Sequence, residues 1–328
     1  MTVSVVIATY NRAAMVREAV EAALAQSRPA EEIIVVDDAS TDATREELDK
    51  LASAYPRVHV HHRATNSGGV AVWNEAAGRA RSEAIAFCAD DDRFLRDHLA
   101  ASLGYLEQHP ATGLVHSSFI DAVEAGLQES FEPRRFRSSR PLEITRSHLL
   151  AYLARYYDWP FHASTLVLRR QVWIETGGFD PRYALADTDW FVRAVERYPA
   201  ALLARHGVYN RRHPGNWSNR LGSARMQREI FLIIEELIGR LHAGNPVRRA
   251  AWRALWRADA RLHLLLTLLA RLESGHPEAA CAAWHGLLQD TGRRAPRAVE
   301  RGGEALIYLA CHGREGQARG ARESVSPL

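Results

Sequence analysis

Three consecutive carboxylates, Asp90, Asp91 and Asp92, stand one residue behind the apolar run Ala84-Ile85-Ala86-Phe87-Cys88. Like charges crowded at the end of a buried segment repel one another and lose hydration. Either a positive group sits among them or the segment is fully solvated. Two further polar clusters follow apolar runs in the same manner. Val3–Ala8 leads into Thr9-Tyr10-Asn11-Arg12, and Glu32–Val36 leads into Asp37-Asp38-Ala39-Ser40.

The elements that must position these clusters alternate. Val3–Ala8, Glu32–Val36, Val58–His62 and Ala84–Cys88 read as strands, rich in β-branched and apolar residues. Between them Ala13–Gln26, with Val16, Val20, Ala23 and Leu24 at helical spacing, Thr44–Ser53 and Gly69–Arg81 read as helices. This order predicts an α/β fold, a Rossmann-like and mostly parallel sheet flanked by helices. Ligands of such sheets bind beyond the carboxyl ends of the strands. Parallel strands therefore bring all three polar clusters to one rim, and the acids at 90–92 mark the site rather than a stray turn.

Further along, "FEPRRFRSSRP" is a basic loop, "STLVLRR" (164–170) a strand, "GGFD" (177–180) a turn and Thr188–Arg197 a short helix. From about 222 the chain reads as all-helical, with Met226, Ile230, Ile233, Leu237 and Leu241 in helical register. The expected organisation is a domain over 1–220 and a helical C-terminal region over 221–328. Arg249, Arg253, Arg257 and Arg261 recur every fourth residue and would stripe one helix face. That stripe reads first as a solvated face, and second as a peripheral contact with an anionic membrane surface.

The bulk properties narrow the classes. The chain has 328 residues, 47% hydrophobic and 25% charged, with a net charge of +3, so no global charge excess points to nucleic acid. Cys88, Cys281 and Cys311 show neither a zinc spacing nor a disulfide framework, which suggests a reducing, cytoplasmic setting. The first residues lack the basic start of a secretion signal. No stretch approaches the roughly 18 apolar residues of a membrane span.

Taken in order, "VSVVIATYNR", "IIVVDDASTD", "NSGG", "FCADDDRF", "GGFD", "ADTDWFVR" and "RRHPGNWS" resemble the family 2 glycosyltransferases, inverting enzymes of the GT-A fold. The resemblance covers roughly residues 1–220. It implies that Thr9, Tyr10 and Arg12 hold a nucleotide, Tyr10 by stacking on a pyrimidine and Arg12 by meeting a phosphate oxygen. Asp38 would accept the pyrimidine N3–H with Asp37 in support. Asn66 and Gly68 would let backbone approach the donor at a helix start. The aspartates answer to a DxD motif. Asp90 would face the ribose, while Asp91, with Asp92 as a second ligand or orienting group, would hold Mn²⁺ or Mg²⁺ against the donor diphosphate. His213 would be a further metal ligand on a late loop. Asp187 would be the base that takes the proton of an acceptor hydroxyl, with Asp189 as the fallback and Arg193 as the pairing partner of one of them.

The implied function is transfer of a sugar from a pyrimidine nucleotide, UDP first, to a carbohydrate, lipid-linked or other hydroxyl acceptor in cell-surface glycan synthesis. Trp159, Trp190 and Trp217 are candidates for stacking on a sugar. Ala89, Ala186 and Trp73 depart from the family pattern, where Asp, Glu and a basic residue are common. Other readings stand beside this one. "DDAS" can be a loop whose Ser40, Thr41 or Asp42 caps the next helix, and Asp187 can be an N-cap. At the level of the whole chain the alternatives are a degenerate domain that binds nucleotide or sugar without transfer, and a sugar-nucleotide pyrophosphorylase. The pyrophosphorylase would want glycines directly after the first strand, which "ATYNRA" lacks.

Overall fold

Seven residues, Val3–Thr9, form the first strand (β1), and nearly every one is buried, as expected of a strand covered on both faces. In this computed structural model the described residues are 1–123, 126–128, 140–146, 149, 162–216, 223–254 and 256. Glu32–Asp37 (β2), Val58–His62 (β3) and Ala84–Phe87 (β4) complete a parallel half-sheet in the order β3-β2-β1-β4. Helices Ala13–Leu24 (α1), Thr44–Ala54 (α2) and Gly69–Arg79 (α3) cross between these strands. The α1 helix buries Val16, Ala19, Val20 and Ala23, the stripe its three-and-four spacing predicts.

Beyond β4 the sheet becomes mixed. It continues through Leu166–Arg169 (β9), Leu114–Val123 (β6), Ala200–Arg212 (β10) and the short Arg93–Phe94 (β5). Gly126–Gln128 (β7) pairs with β6, and Leu142–Ile144 (β8) with β10. β9 is antiparallel to both β4 and β6, so β6 and its parallel neighbour β10 run in the same sense as β4. The described helices of this half are His98–Gln108 (α4), Arg170–Thr176 (α5) and Ala186–Val195 (α6). The core joins both halves, with Val5, Ile7, Val35, Ala86, Val115, Val167 and Ala201 in one cluster.

Two expectations need correcting. The helix read as Thr188–Arg197 starts at Ala186 with Leu185 as its cap residue, so Asp187 lies in the first turn and is not the N-cap. Trp190 is fully buried, packs 5.4 Å from Trp173 and donates from Nε1 to Thr176 Oγ1 at 2.8 Å, so it belongs to the core and offers no face to a sugar. Trp159 and Trp217 lie outside the described residues.

Compactness divides the chain into Met1–Asn216 and Trp217–Leu328. In the second unit Ser223–Leu241 (α7) buries Ile233, Ile234, Leu237 and Ile238. Arg253 of the basic stripe pairs with Glu235 at 3.3 Å, while Arg257 and Arg261 lie outside the described residues, as do Cys281 and Cys311. Cys88 is a buried free thiol. Among the described residues no helix is long and apolar enough to cross a membrane.

Candidate active site

Strand register builds the rim. Thr9 pairs with Asp37 at the ends of β1 and β2, and His62 pairs with Asp37 from β3. Val6 pairs with Phe87 on the other side of β1, so Asp90, three residues on, falls level with Thr9. Because β9 is antiparallel to β4, its start, His162 to Thr165, comes to this rim. Because β10 runs with β4, its end and the turn His213–Asn216 come there too.

At the β2 end both aspartates are buried. Asp37 accepts from the Ser40 N–H at 3.0 Å and lies 2.9 Å from His62 Nδ1. Asp38 accepts from the backbone N–H of Ser67 at 2.9 Å and of Gly68 at 2.8 Å, with Arg63 Nε 3.5 Å away. Gly68 holds φ +83°, a left-handed conformation that glycine adopts without penalty, and this turns its N–H onto the carboxylate. Asn66 is exposed beside it. Asn11, at φ 53°, ties the neighbouring loop down: its Oδ1 accepts from the Thr41 N–H at 2.8 Å. Ser40 and Thr41 thus serve the loop, whereas Asp42 Oδ1 accepts from the Thr44 N–H at 2.9 Å and so caps the start of α2 from one residue ahead of Ala43. Tyr10 is 43% exposed on the loop that follows β1.

The aspartate triplet is closed off from solvent and holds a positive group. All three are buried, and Arg12 reaches into them. Its Nη1 donates to Asp90 Oδ1 at 2.7 Å and to Asp91 Oδ2 at 2.6 Å, and Nη2 donates to the Gly215 carbonyl at 3.0 Å. His213 Nε2 lies 3.0 Å from Asp91 Oδ2, and Asn216 Nδ2 donates to the same oxygen at 3.4 Å. The Gly215 N–H donates to His213 Nδ1, which assigns the ring proton to Nε2. Asp92 is held at both oxygens: Ser164 Oγ donates to Oδ2 at 2.5 Å and the Arg211 N–H to Oδ1 at 3.1 Å. His162 Nδ1 is 3.5 Å from that Oδ2.

Two of these buried carboxylates share the one guanidinium of Arg12. Burial raises the Asp90 carboxyl to about 6, against the pull of Arg12, and adjacent Asp91 pushes it further up. Burial likewise raises Asp92 although His162 opposes it. Such a site favours one more cation. Among the described residues no three His, Cys, Asp or Glu side chains form a metal cage. The Asp91–His213 pair fits a cation that takes its other ligands from water and phosphate, the manner of Mg²⁺ and Mn²⁺. Their 3.0 Å separation also matches the edge of an octahedron with ligands at about 2.1 Å.

Asp187 is half-buried on the first turn of α6, and its Oδ1 accepts from the Thr188 N–H at 2.8 Å. Burial raises its pKa, while that N–H and the charge of His162 draw it back. His162 thus lies within electrostatic reach of both Asp187 and Asp92. Asp189 is committed elsewhere: Arg193 Nε donates to it at 2.8 Å, and the same guanidinium binds the Gly178 carbonyl. Sequence reasoning missed His162, Ser164 and Arg63. The polar "HAST" ahead of "LVLRR" signals the first two, and Arg63 follows the third strand as the other polar clusters follow theirs.

A Rossmann-like half-sheet extended by mixed strands, with buried acids past its central strands, is the GT-A arrangement. The sequence profile of glycosyl transferase family 2 matches residues 4–177, and the chain belongs to that family. An uncharacterized protein of Mycobacterium tuberculosis is 28% identical over 99% of this chain and 96% of its own length. The poly(ribitol-phosphate) beta-glucosyltransferase of Bacillus spizizenii is 39% identical over 28% of this chain and 15% of its own. Among solved structures, S. aureus TarS 1-349 in complex with UDP-GlcNAc superposes with a TM-score of 0.63, at 18% identity, over 96% of this chain and 88% of that one. The mannosyltransferase PcManGT of Pyrobaculum calidifontis, in complex with GDP-Man and Mn²⁺, gives 0.54 at 18% identity over 94% and 80%.

Proposed function

We propose that this family 2 glycosyltransferase is an inverting enzyme that moves a sugar from a UDP-type donor to a hydroxyl acceptor. The observation that carries the reading is the convergence of buried acids at one rim, where Asp90 and Asp91 share a single guanidinium. A sugar diphosphate brought in with a divalent cation completes that balance.

Each residue then has a task its surroundings suit. Asp38 accepts the base N3–H. Its two backbone donors fix the carboxylate and leave lone pairs over, and Asp37 braces the loop. Tyr10 stacks on the base, and Thr9 and Asp90 face the ribose. Asn66 and Gly68 let the chain come close to the donor. Asp91 and His213 hold the Mn²⁺ or Mg²⁺ ion. When bound, the cation offsets charge on the departing diphosphate. Of the two tasks open to Asp92, orienting suits it better, since Ser164 and Arg211 engage both its oxygens.

Asp187 accepts the acceptor's hydroxyl proton while the acceptor oxygen bonds to the anomeric carbon from the face opposite the diphosphate. The bond from that carbon to the phosphate oxygen breaks, and the nucleoside diphosphate leaves with the electron pair. Relatives whose names concern cell-wall polymers point to a cell-surface glycan as acceptor. The test is turnover of a UDP-, dTDP- and GDP-sugar panel by wild type and by Asp187→Asn. Asp187→Asn should lose about 10²- to 10⁴-fold in rate while UDP affinity holds. UDP binding without turnover in the wild type would instead favour a binding module.

A further inference from the structure

Arg12 does more than neighbour the acids. One guanidinium nitrogen bridges Asp90 Oδ1 and Asp91 Oδ2 at 2.7 and 2.6 Å, inside a site where both carboxylates are shielded from water. Three donors converge on Asp91 Oδ2: Arg12 Nη1, His213 Nε2 and Asn216 Nδ2. A carboxylate oxygen has two lone pairs, so it is already fully engaged. A divalent cation that bridges Asp91 Oδ2 and His213 Nε2 takes that same oxygen and that same ring nitrogen. A guanidinium 2.6 Å from the shared oxygen would face the ion across a few ångströms of poorly screened space. In that bridging position the two positive groups compete for one carboxylate oxygen.

We infer that Arg12 is an internal counter-ion that the divalent cation displaces, and that the displaced guanidinium becomes a ligand of the donor diphosphate. This inference rests on the transferase reading above and adds an order of events to it. Without ligand, Arg12 offsets part of the charge of the acids and, through the Gly215 carbonyl, pins the His213–Asn216 turn to the rim. A metal ion arriving alone must break these ion pairs and leave a guanidinium half-shielded without a partner. A nucleoside diphosphate arriving alone meets Asp90 and Asp91 with only one cation between them. Arriving together, the ion takes the carboxylates and the phosphate oxygens take Arg12, a geometry its fork suits. Metal and nucleotide thus bind with positive coupling, and Arg12 is the positioning residue that creates it.

Mn²⁺ binding to the full chain, followed by calorimetry and by loss of the free-ion electron paramagnetic resonance signal, tests this without turnover. In wild type, UDP should raise Mn²⁺ affinity about tenfold or more. In Arg12→Gln, Mn²⁺ alone should bind about tenfold tighter than to wild type, and the gain from UDP should largely vanish. A second measurement needs no variant: the side-chain nitrogen resonances of Arg12 in wild type should shift on adding Mg²⁺ with UDP. Unchanged Mn²⁺ affinity in Arg12→Gln, or Arg12 resonances that ignore Mg²⁺ with UDP, overturns the exchange while leaving the transferase reading intact. A wild type that binds no Mn²⁺ even with UDP overturns both.

Discussion

Asp90 carries a pH signature that follows from its position. Burial lifts its carboxyl to about 6 in the folded chain, above the value near 4 of an unfolded aspartate. Between those values the native state binds more protons than the unfolded one, so stability falls as pH rises. The contribution is fully present below about pH 4 and is lost through about pH 6, a span of up to about 2.7 kcal/mol. In metal-free buffer, urea titrations of wild type and Asp90→Asn should therefore diverge. The wild type should lose about 2 kcal/mol more than the variant between pH 4 and 6.5. Parallel curves would mean that Arg12 already balances the charge. That acids gather here was legible in the sequence, because three parallel strand ends share a rim. What neutralises them was not. Arg12 reads as a phosphate contact, and only the fold places its guanidinium 78 and 79 residues along the chain, on Asp90 and Asp91.

At the scale of elements, strands that end at the site were legible and strands that begin at it were not. β1, β2 and β4 place functional residues behind them, the order a parallel sheet dictates. β9 is antiparallel, so His162 and Ser164 lie ahead of it in sequence, where no rule about carboxyl ends looks. β6 and β10 were missed for another reason: buried His116, Ser117 and Asn210 interrupt the apolar pattern of their interiors. Helix α4 was masked in the same way by buried His98 and Ser102. Of these, His98 and Ser117 flank Gly207 of β10. A Cβ built on Gly207 would lie 2.3 Å from both His98 Nδ1 and Ser117 Oγ. Gly207→Ala should destabilise the fold by about 1–3 kcal/mol. Gly104→Ala, mid-helix in α4 with nothing within 4 Å, should stabilise it by about 0.5–1 kcal/mol. Denaturant midpoints moving the same way in both variants would refute the crowding argument.

For the whole molecule, the placement of the site decides which part of the chain a ligand holds together. Every residue assigned to the nucleotide, the cation or the acceptor proton lies in Met1–Asn216. That unit has its own core, joining the parallel half-sheet to the mixed half across β4 and β9. A ligand that binds only the folded form stabilises whatever unfolding disrupts its site, by about 2.7 kcal/mol at a hundred times its dissociation constant. Residues 1–216 expressed alone should therefore unfold cooperatively and gain the same thermal shift from UDP with Mn²⁺ as the full chain, several degrees for a unit of this size. GDP with Mn²⁺ should shift both less, because guanine does not present the pyrimidine's N3–H to Asp38 in the same place. A shift in the full chain that is lost in the fragment would move part of the nucleotide site into Trp217–Leu328. An equal shift by GDP would remove Asp38 as the reader of the base.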